Sequence, residues 1–155
     1  CNLGDQGIQA FTKTIAQLHS LTFLQLRLSF NRISRKGAQD LADAFKIRCG
    51  THGMTDVVLD VDINPIADGA VVLLRSLGVR RLRLDMAHCR IGDTVAEELA
   101  SILNSFAECT QSHQSPIESL ELDLRGNHLM ESKSSILKAI ACLNAAGCKC
   151  LSRLD

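Results

Sequence analysis

Three aspartates, Asp60, Asp85 and Asp123, occupy the same place in successive runs of alternating aliphatic residues, and Arg27 holds that place in an earlier run. If these runs are neighbouring strands, the four residues form one column with ~4.8 Å between members. Carboxylates so placed suit two uses: oxygen ligation of a divalent cation, or docking of a basic protein surface. Stacked strand side chains diverge more than they converge, which disfavours the cation, and no metal site is expected. Each adjacent carboxylate pair repels by about 0.8 kcal/mol in bulk water. Arg27, Arg83 and Arg125 stand in or diagonal to the column and offset that repulsion. The plainest use of the array is therefore a solvated polar sheet face whose charges compensate one another. The remaining outward positions are Gln25, Ser29, Val58, Asp62, Ala87 and Glu121. Asp60, Asp62, Asp85, Glu121 and Asp123 then outnumber the three arginines, so a partner presenting Lys or Arg would be favoured in encounter and orientation.

Other chemistry is poorly supplied. There is no Gly-x-Ser-x-Gly, no phosphate loop and no His-Glu-x-x-His, so no enzyme activity and no cofactor are expected. His19, His52, His88, His113 and His128 fall in turns or loops, with His88 and His128 beside equivalent positions of successive segments. The seven cysteines are odd in number and dispersed. Cys142 with Cys148-x-Cys150, plus Cys109 and His113, lacks the paired Cys-x2-Cys of a structural zinc site, and free thiols in a reducing, cytoplasmic compartment are expected. Arg80, Arg81 and Arg83 form a basic cluster, but a chain without Trp or Tyr offers no large stacking platform for nucleic acid. The 17 basic residues equal the 17 acidic ones, and no apolar run approaches a membrane span, so no membrane partner is expected either.

The elements that must position these residues repeat four times. The copies are Leu24, Leu26, Leu28, Asn31, Ile33; Val57, Leu59, Val61, Asn64, Ile66; Leu82, Leu84, Met86, Cys89, Ile91; and Leu120, Leu122, Leu124, Asn127, Leu129. A half copy opens the chain at Cys1 and Leu3, and another closes it if Leu151 and Leu154 match Ile117 and Leu120. Alternation predicts a strand with one buried face, and the wider spacing that follows predicts an amphipathic helix. The helix face reads Gly7, Phe11, Ile15; Gly37, Leu41, Phe45; Gly69, Leu73, Leu77; Val95, Leu99, Leu103; and, more weakly, Lys133, Leu137, Ala141. Such a stripe must pack on its own strand and on the next coil. Lys46 to Gly53 and Asn104 to Pro116 read as irregular insertions after the helices. Cys1, Asn31, Asn64, Cys89 and Asn127 fall where strand turns toward helix. An Asn side chain there serves buried backbone donors and acceptors at once, so these five are expected to form a structural ladder.

On Leu24-x-Leu26-x-Leu28-x-x-Asn31-x-Ile33 followed by Gly37, Leu41, Ala42 and Phe45, the chain resembles the leucine-rich repeat family. Cys1-x-Leu3-Gly4-Asp5 and Cys89-x-Ile91-Gly92-Asp93 are similar to its ribonuclease-inhibitor-like class. The resemblance spans nearly the whole chain and implies an α/β right-handed solenoid, a horseshoe arc with the parallel sheet on the concave side and helices on the convex side. It implies one domain over 1–155, with about four repeats and partial ones at both ends. Because the chain lacks an initiating Met and starts at a turn, it is expected to be a fragment of a longer protein. The resemblance implies a non-catalytic protein-interaction module. Partner-binding residues would be Arg27, Asp60, Asp62, Arg83, Asp85, Glu121, Asp123 and Arg125 on the concave face. Its alternatives are a regulator of another enzyme, either a Ran-type GTPase activator or an inhibitor, and the sensing end of an innate-immune receptor. Fold alone leaves that choice open, and it leaves the oligomeric state open as well.

Overall fold

A computed structural model describes residues 2–50, 54–111 and 117–154. Its elements alternate in chain order: α1 (Gly4–Gln17), β1 (Phe23–Arg27), α2 (Arg35–Gly50), β2 (Asp56–Asp60), α3 (Gly69–Ser76), β3 (Arg81–Asp85), α4 (Asp93–Gln111), β4 (Ser119–Asp123), α5 (Lys133–Ala145) and β5 (Lys149–Arg153). The five strands form one parallel sheet in sequential order. Parallel neighbours need a crossover connection, and each crossover here is a helix.

The register follows from the aliphatic alternation. Leu24, Val57, Leu82 and Leu120 lie opposite one another, as do Leu26, Leu59, Leu84 and Leu122. Leu28, Val61, Met86 and Leu124 prolong these rows beyond the strand ends and are also buried. Against them pack Ile8, Ile15, Leu41, Phe45, Leu73, Leu77, Leu99, Leu103 and Leu143 from the helices, giving one continuous core. Successive helices lie side by side, α1 on α2, α2 on α3, α3 on α4 and α4 on α5. Gly69 permits a close approach of α3 to α2: a Cβ there would stand 2.7 Å from the Ala38 Cβ and 3.2 Å from the Arg35 Cα.

Backbone pairing continues through the turns, so the coils stay joined where the strands end. The Leu28, Val61 and Met86 amides donate to the Asp60, Asp85 and Asp123 carbonyls, and Phe30, Ile63 and His88 donate to Asp62, Ala87 and Arg125.

Three expectations are corrected. Lys46–Gly50 and 104–111 are not irregular insertions but the last turns of α2 and α4. Ala44, Phe45 and Arg48 in α2, and Leu103 and Ala107 in α4, keep a buried face at helical spacing, so extension hides apolar surface that a loop would expose. In α5 the inward residues are Ile136, Ala139, Ile140 and Leu143, while Leu137 is 48% exposed. The face is rotated by one residue from the Lys133, Leu137, Ala141 register because Ile136 and Ile140 present more apolar area to the core. In the closing strand Cys150, not Leu154, lies opposite Leu120, and Leu151 lies opposite Glu121 on the outward side, 54% exposed. The outer parts of those two segments, 51–53 and 112–116, lie outside the described residues, as do His52 and His113.

Candidate functional site

The strand residues between the aliphatic rows form the outward face of the sheet. One column runs Arg27, Asp60, Asp85, Asp123, Arg153, partner opposite partner across all five strands. Its neighbour runs Gln25, Val58, Arg83, Glu121, Leu151. The closing strand thus adds Arg153 and Lys149 to the face, which the sequence reading missed because it placed β5 in a different register.

The three column aspartates share a backbone task. The Asp60 Oδ1 accepts the Asp62 amide at 3.1 Å, the Asp85 Oδ1 accepts that of Ala87 at 3.1 Å, and the Asp123 Oδ1 accepts that of Arg125 at 3.2 Å. Each carboxylate fastens the turn two residues on, as short polar side chains do in Asx-turns.

Their electrostatic settings differ. Asp123 is only 8% exposed and pairs with Arg125 at 2.8 Å and Arg153 at 3.7 Å. Burial opposes its ionisation, but the Arg125 side chain and amide and the Arg153 charge outweigh that and hold its carboxyl below the usual range. Asp85 goes the other way. Burial raises its carboxyl, the Ala87 amide pulls it back, and the charges of Asp123, Asp60 and Asp62 raise it further, to a net upward shift. Asp62 meets the His88 Nδ1 at 3.2 Å, and Arg83 meets Glu121 at 3.4 Å. Asp60 and Asp85 have no ion-pair partner among the described residues.

The basic cluster resolves into separate pairs: Arg80 with Glu118, Arg81 with Asp56 and Arg83 with Glu121. Glu118 and Asp56 sit on adjacent coils, so only the register reveals them as partners. Arg81 and then Thr55 bond the Asp56 carboxylate and hold it below the ordinary range.

Behind the face lie the turn residues. The Asn64 Oδ1 accepts the amides of Asn31 (3.0 Å) and Ile33 (2.9 Å), while its Nδ2 donates to the carbonyls of Leu28, Val61 and Asp62. Asn127 repeats this one coil further on, accepting from Cys89 and Ile91 and donating to Met86 and Leu124. Asn31 accepts the Leu3 amide at 3.2 Å. At the same position Cys89 donates its thiol to the Val61 carbonyl at 3.2 Å. Burial pushes that thiol up to about 12, so it stays protonated and able to donate. Cys1 lies outside the described residues.

A second set of coil-to-coil bonds was not foreseen. The Asp5 carboxylate accepts the Ser34 amide (2.8 Å), the Ser34 hydroxyl (2.6 Å) and the Gly37 amide (3.1 Å) at the start of α2. The Asp93 Oδ1 does the same for the Ser132 amide (2.9 Å) and hydroxyl (2.6 Å) at the start of α5. A carboxylate from one coil thereby caps the next coil's helix, where N–H groups lack partners and the dipole favours negative charge. At Asp93 the Ser132 bonds lower the carboxyl; at Asp5 burial works against ionisation, but the Ser34 and Gly37 bonds outweigh it. The signal was in the chain as Asp at two equivalent positions, each matched by Ser in the next coil.

Cys148 and Cys150 bring their sulfurs to 3.4 Å. The Cys150 thiol lowers that of Cys148 and is itself held up. Cys109 and Cys142 are exposed. Among the described residues no three His, Cys, Asp or Glu side chains group to hold a metal, and no helix is long and apolar enough to cross a membrane.

Strand, turn and helix recur, with a hydrogen-bonding side chain at each of the turns of Asn31, Asn64, Cys89 and Asn127, which defines a coil-repeat protein of α/β class. Residues 19–42 and 82–100 match the family model described as Leucine Rich repeat, and these matches support a leucine-rich repeat family. The first covers β1, the Asn31 turn and the first half of α2; the second covers all of β3 but its first residue, the Cys89 turn and the start of α4. No curated protein matches the chain.

Proposed function

We propose that the chain is a non-catalytic protein-interaction module that takes a basic protein surface on the outward face of its sheet. Leucine-rich repeats generally mediate protein–protein interaction, and their domains are typically non-catalytic. The observation that carries the reading is Asp85. Burial and then the charges of Asp123, Asp60 and Asp62 shift its carboxyl upward, and neither it nor Asp60 has a cationic partner among the described residues. An incoming Lys or Arg would supply that partner, relieve the repulsion and gain orientation from it. Arg27, Arg83, Glu121 and Arg125 would set the register of the encounter from the rim of the column. In this reading the coils form one right-handed domain of the ribonuclease-inhibitor-like class, with the sheet concave, in the cytoplasm and without nucleic acid or membrane partners.

The test is charge reversal. Wild type and a Asp60→Lys/Asp85→Lys/Asp123→Lys variant serve as matched baits, and each captured protein is purified and titrated against both. The expected result is loss of binding in the variant and weakening of the wild-type complex with salt. Unchanged affinity would move the site to the helical side or the turns and refute the reading.

A further inference from the structure

Four equivalent backbone positions precede the turn residues of the ladder: Phe30, Ile63, His88 and Gly126. All four are left-handed, with φ of 60°, 52°, 51° and 64°. Glycine suits such a position; a β-branched or aromatic residue there is uncommon and strained by roughly 1–3 kcal/mol. The chain nonetheless carries Phe and Ile in two adjacent coils. Neither is buried in return: Phe30 is 71% exposed and Ile63 45%. With Pro65, Asn2 and Arg32 they line an open groove of about 480 Å³ along the turn rim. The core accounts for neither side chain.

The groove adjoins the acidic face. The Phe30 amide donates to the Asp62 carbonyl at 3.0 Å, and Asp62 directly precedes Ile63. The Asp60 carboxylate accepts the Asp62 amide, so the carboxylates and the apolar rim share one turn. On the groove's own lining stands Arg32, a cation. Apolar surface bounded by carboxylates on the sheet side and by an arginine on the rim has a definite complement. It is a segment with an apolar side chain flanked by a Lys or Arg on the sheet side, toward Asp60 and Asp62, and by no cation on the Arg32 side.

We propose that this rim groove is the anchor site for a partner peptide segment in which an aliphatic or aromatic side chain seats against Phe30 and Ile63 while a neighbouring Lys or Arg reaches Asp60 and Asp62. The inference rests on the reading of the sheet face as a basic-partner surface and adds the apolar half of the recognition. Buried aromatic and aliphatic anchors supply most of the energy of such contacts, with rim charges setting orientation and encounter rate.

The substitutions Phe30→Asn and Ile63→Asn separate docking from folding, because Asn tolerates left-handed backbone better than either native residue. The double variant should melt at or above the wild-type temperature. Short random peptides displayed on phage are selected on the whole chain, and the best binder is synthesised and titrated. Selected peptides should place an apolar residue beside Lys or Arg, and the double variant should bind the best one about tenfold more weakly, the scale of one anchor residue, with its salt dependence unchanged. Asp60→Asn/Asp62→Asn should weaken binding and flatten the salt dependence. Basic peptides lacking an apolar residue, or equal binding by the Phe30/Ile63 variant, would overturn the groove and leave the face reading intact. Apolar peptides without Lys or Arg, or no selected peptide at all, would overturn both. Sedimentation of the chain alone provides one more outcome: a dimer dissolved by the double variant would assign the groove to a second copy and overturn the proposal.

Discussion

Replacing Asp85 by Asn should make the protein more stable. Asp85 stands between Asp60 and Asp123 in register, with Asp62 close by. A unit charge ~5 Å away repels by about 0.8 kcal/mol at the dielectric of water. Burial is the first cause of the raised carboxyl; among the neighbouring charges Asp123 acts most strongly, though Arg125 and Arg153 partly answer it, and Asp60 and then Asp62 follow. The sum is about 1 kcal/mol, before salt screening. Asn retains the Oδ1 that accepts the Ala87 amide, so the turn bond survives the change. At neutral pH and low salt the melting temperature should rise by about 2–4 °C for a chain of this size. The pH dependence has a fixed sign. The folded pKa of Asp85 is raised, so ionisation penalises the native state fully above that value and not at all once the group is protonated in both states. The advantage of the variant should therefore be largest at neutral pH, shrink as pH falls through the raised folded value, and disappear below the ordinary value of 3.8. Paired thermal melts across pH and at two salt concentrations measure this. A lower melting temperature for the variant at pH 7, or a gain that persists in acid, would refute the electrostatic account.

Asn64→Ala strips partners from the buried Asn31 and Ile33 amides and should cost about 2–4 kcal/mol by chemical denaturation, whereas Asn64→Cys, which imitates Cys89, should cost less. Asp5, Asp56, Asp93 and Asp123 have depressed folded values, so the stability they contribute is present above pH ~4 and is lost as pH falls through those values; Asp93→Asn should flatten the acid limb of the stability curve. Iodoacetamide at mildly alkaline pH should alkylate Cys109 and Cys142 first and leave Cys89 untouched in the folded state, as peptide mass spectrometry would read; early labelling of Cys89 would contradict its buried, protonated setting.

Local composition carried the strands and the turns. Alternation at Leu24, Leu26 and Leu28 and its three later copies fixes which face is buried, because a one-residue slip would turn every leucine to solvent. The polar residue at the turn was legible for a similar reason: few side chains serve donors and acceptors together. Length was less legible. Polar residues in Lys46–Gly50 and 104–111 suggested loops, while the sparse apolar positions that keep those turns helical gain their value only from the neighbouring coil. The α5 register failed likewise, since Leu137 and Ile136 are both apolar and only the available core surface chooses between them.

The candidate site divides along the same line. The sequence by itself determined the column members on the first four strands, Arg27, Asp60, Asp85 and Asp123, since strand periodicity is a property of the chain alone, while Arg153 on β5 needed the register that stacking sets. Tertiary structure decided what those residues experience: that Asp123 is buried and neutralised by Arg125 and Arg153, that Asp85 is not, and that Asp5 and Asp93 cap helices in the next coil. Charge energies and hydrogen bonds depend on distance between coils some thirty residues apart, and no local pattern encodes that distance until the coils have stacked.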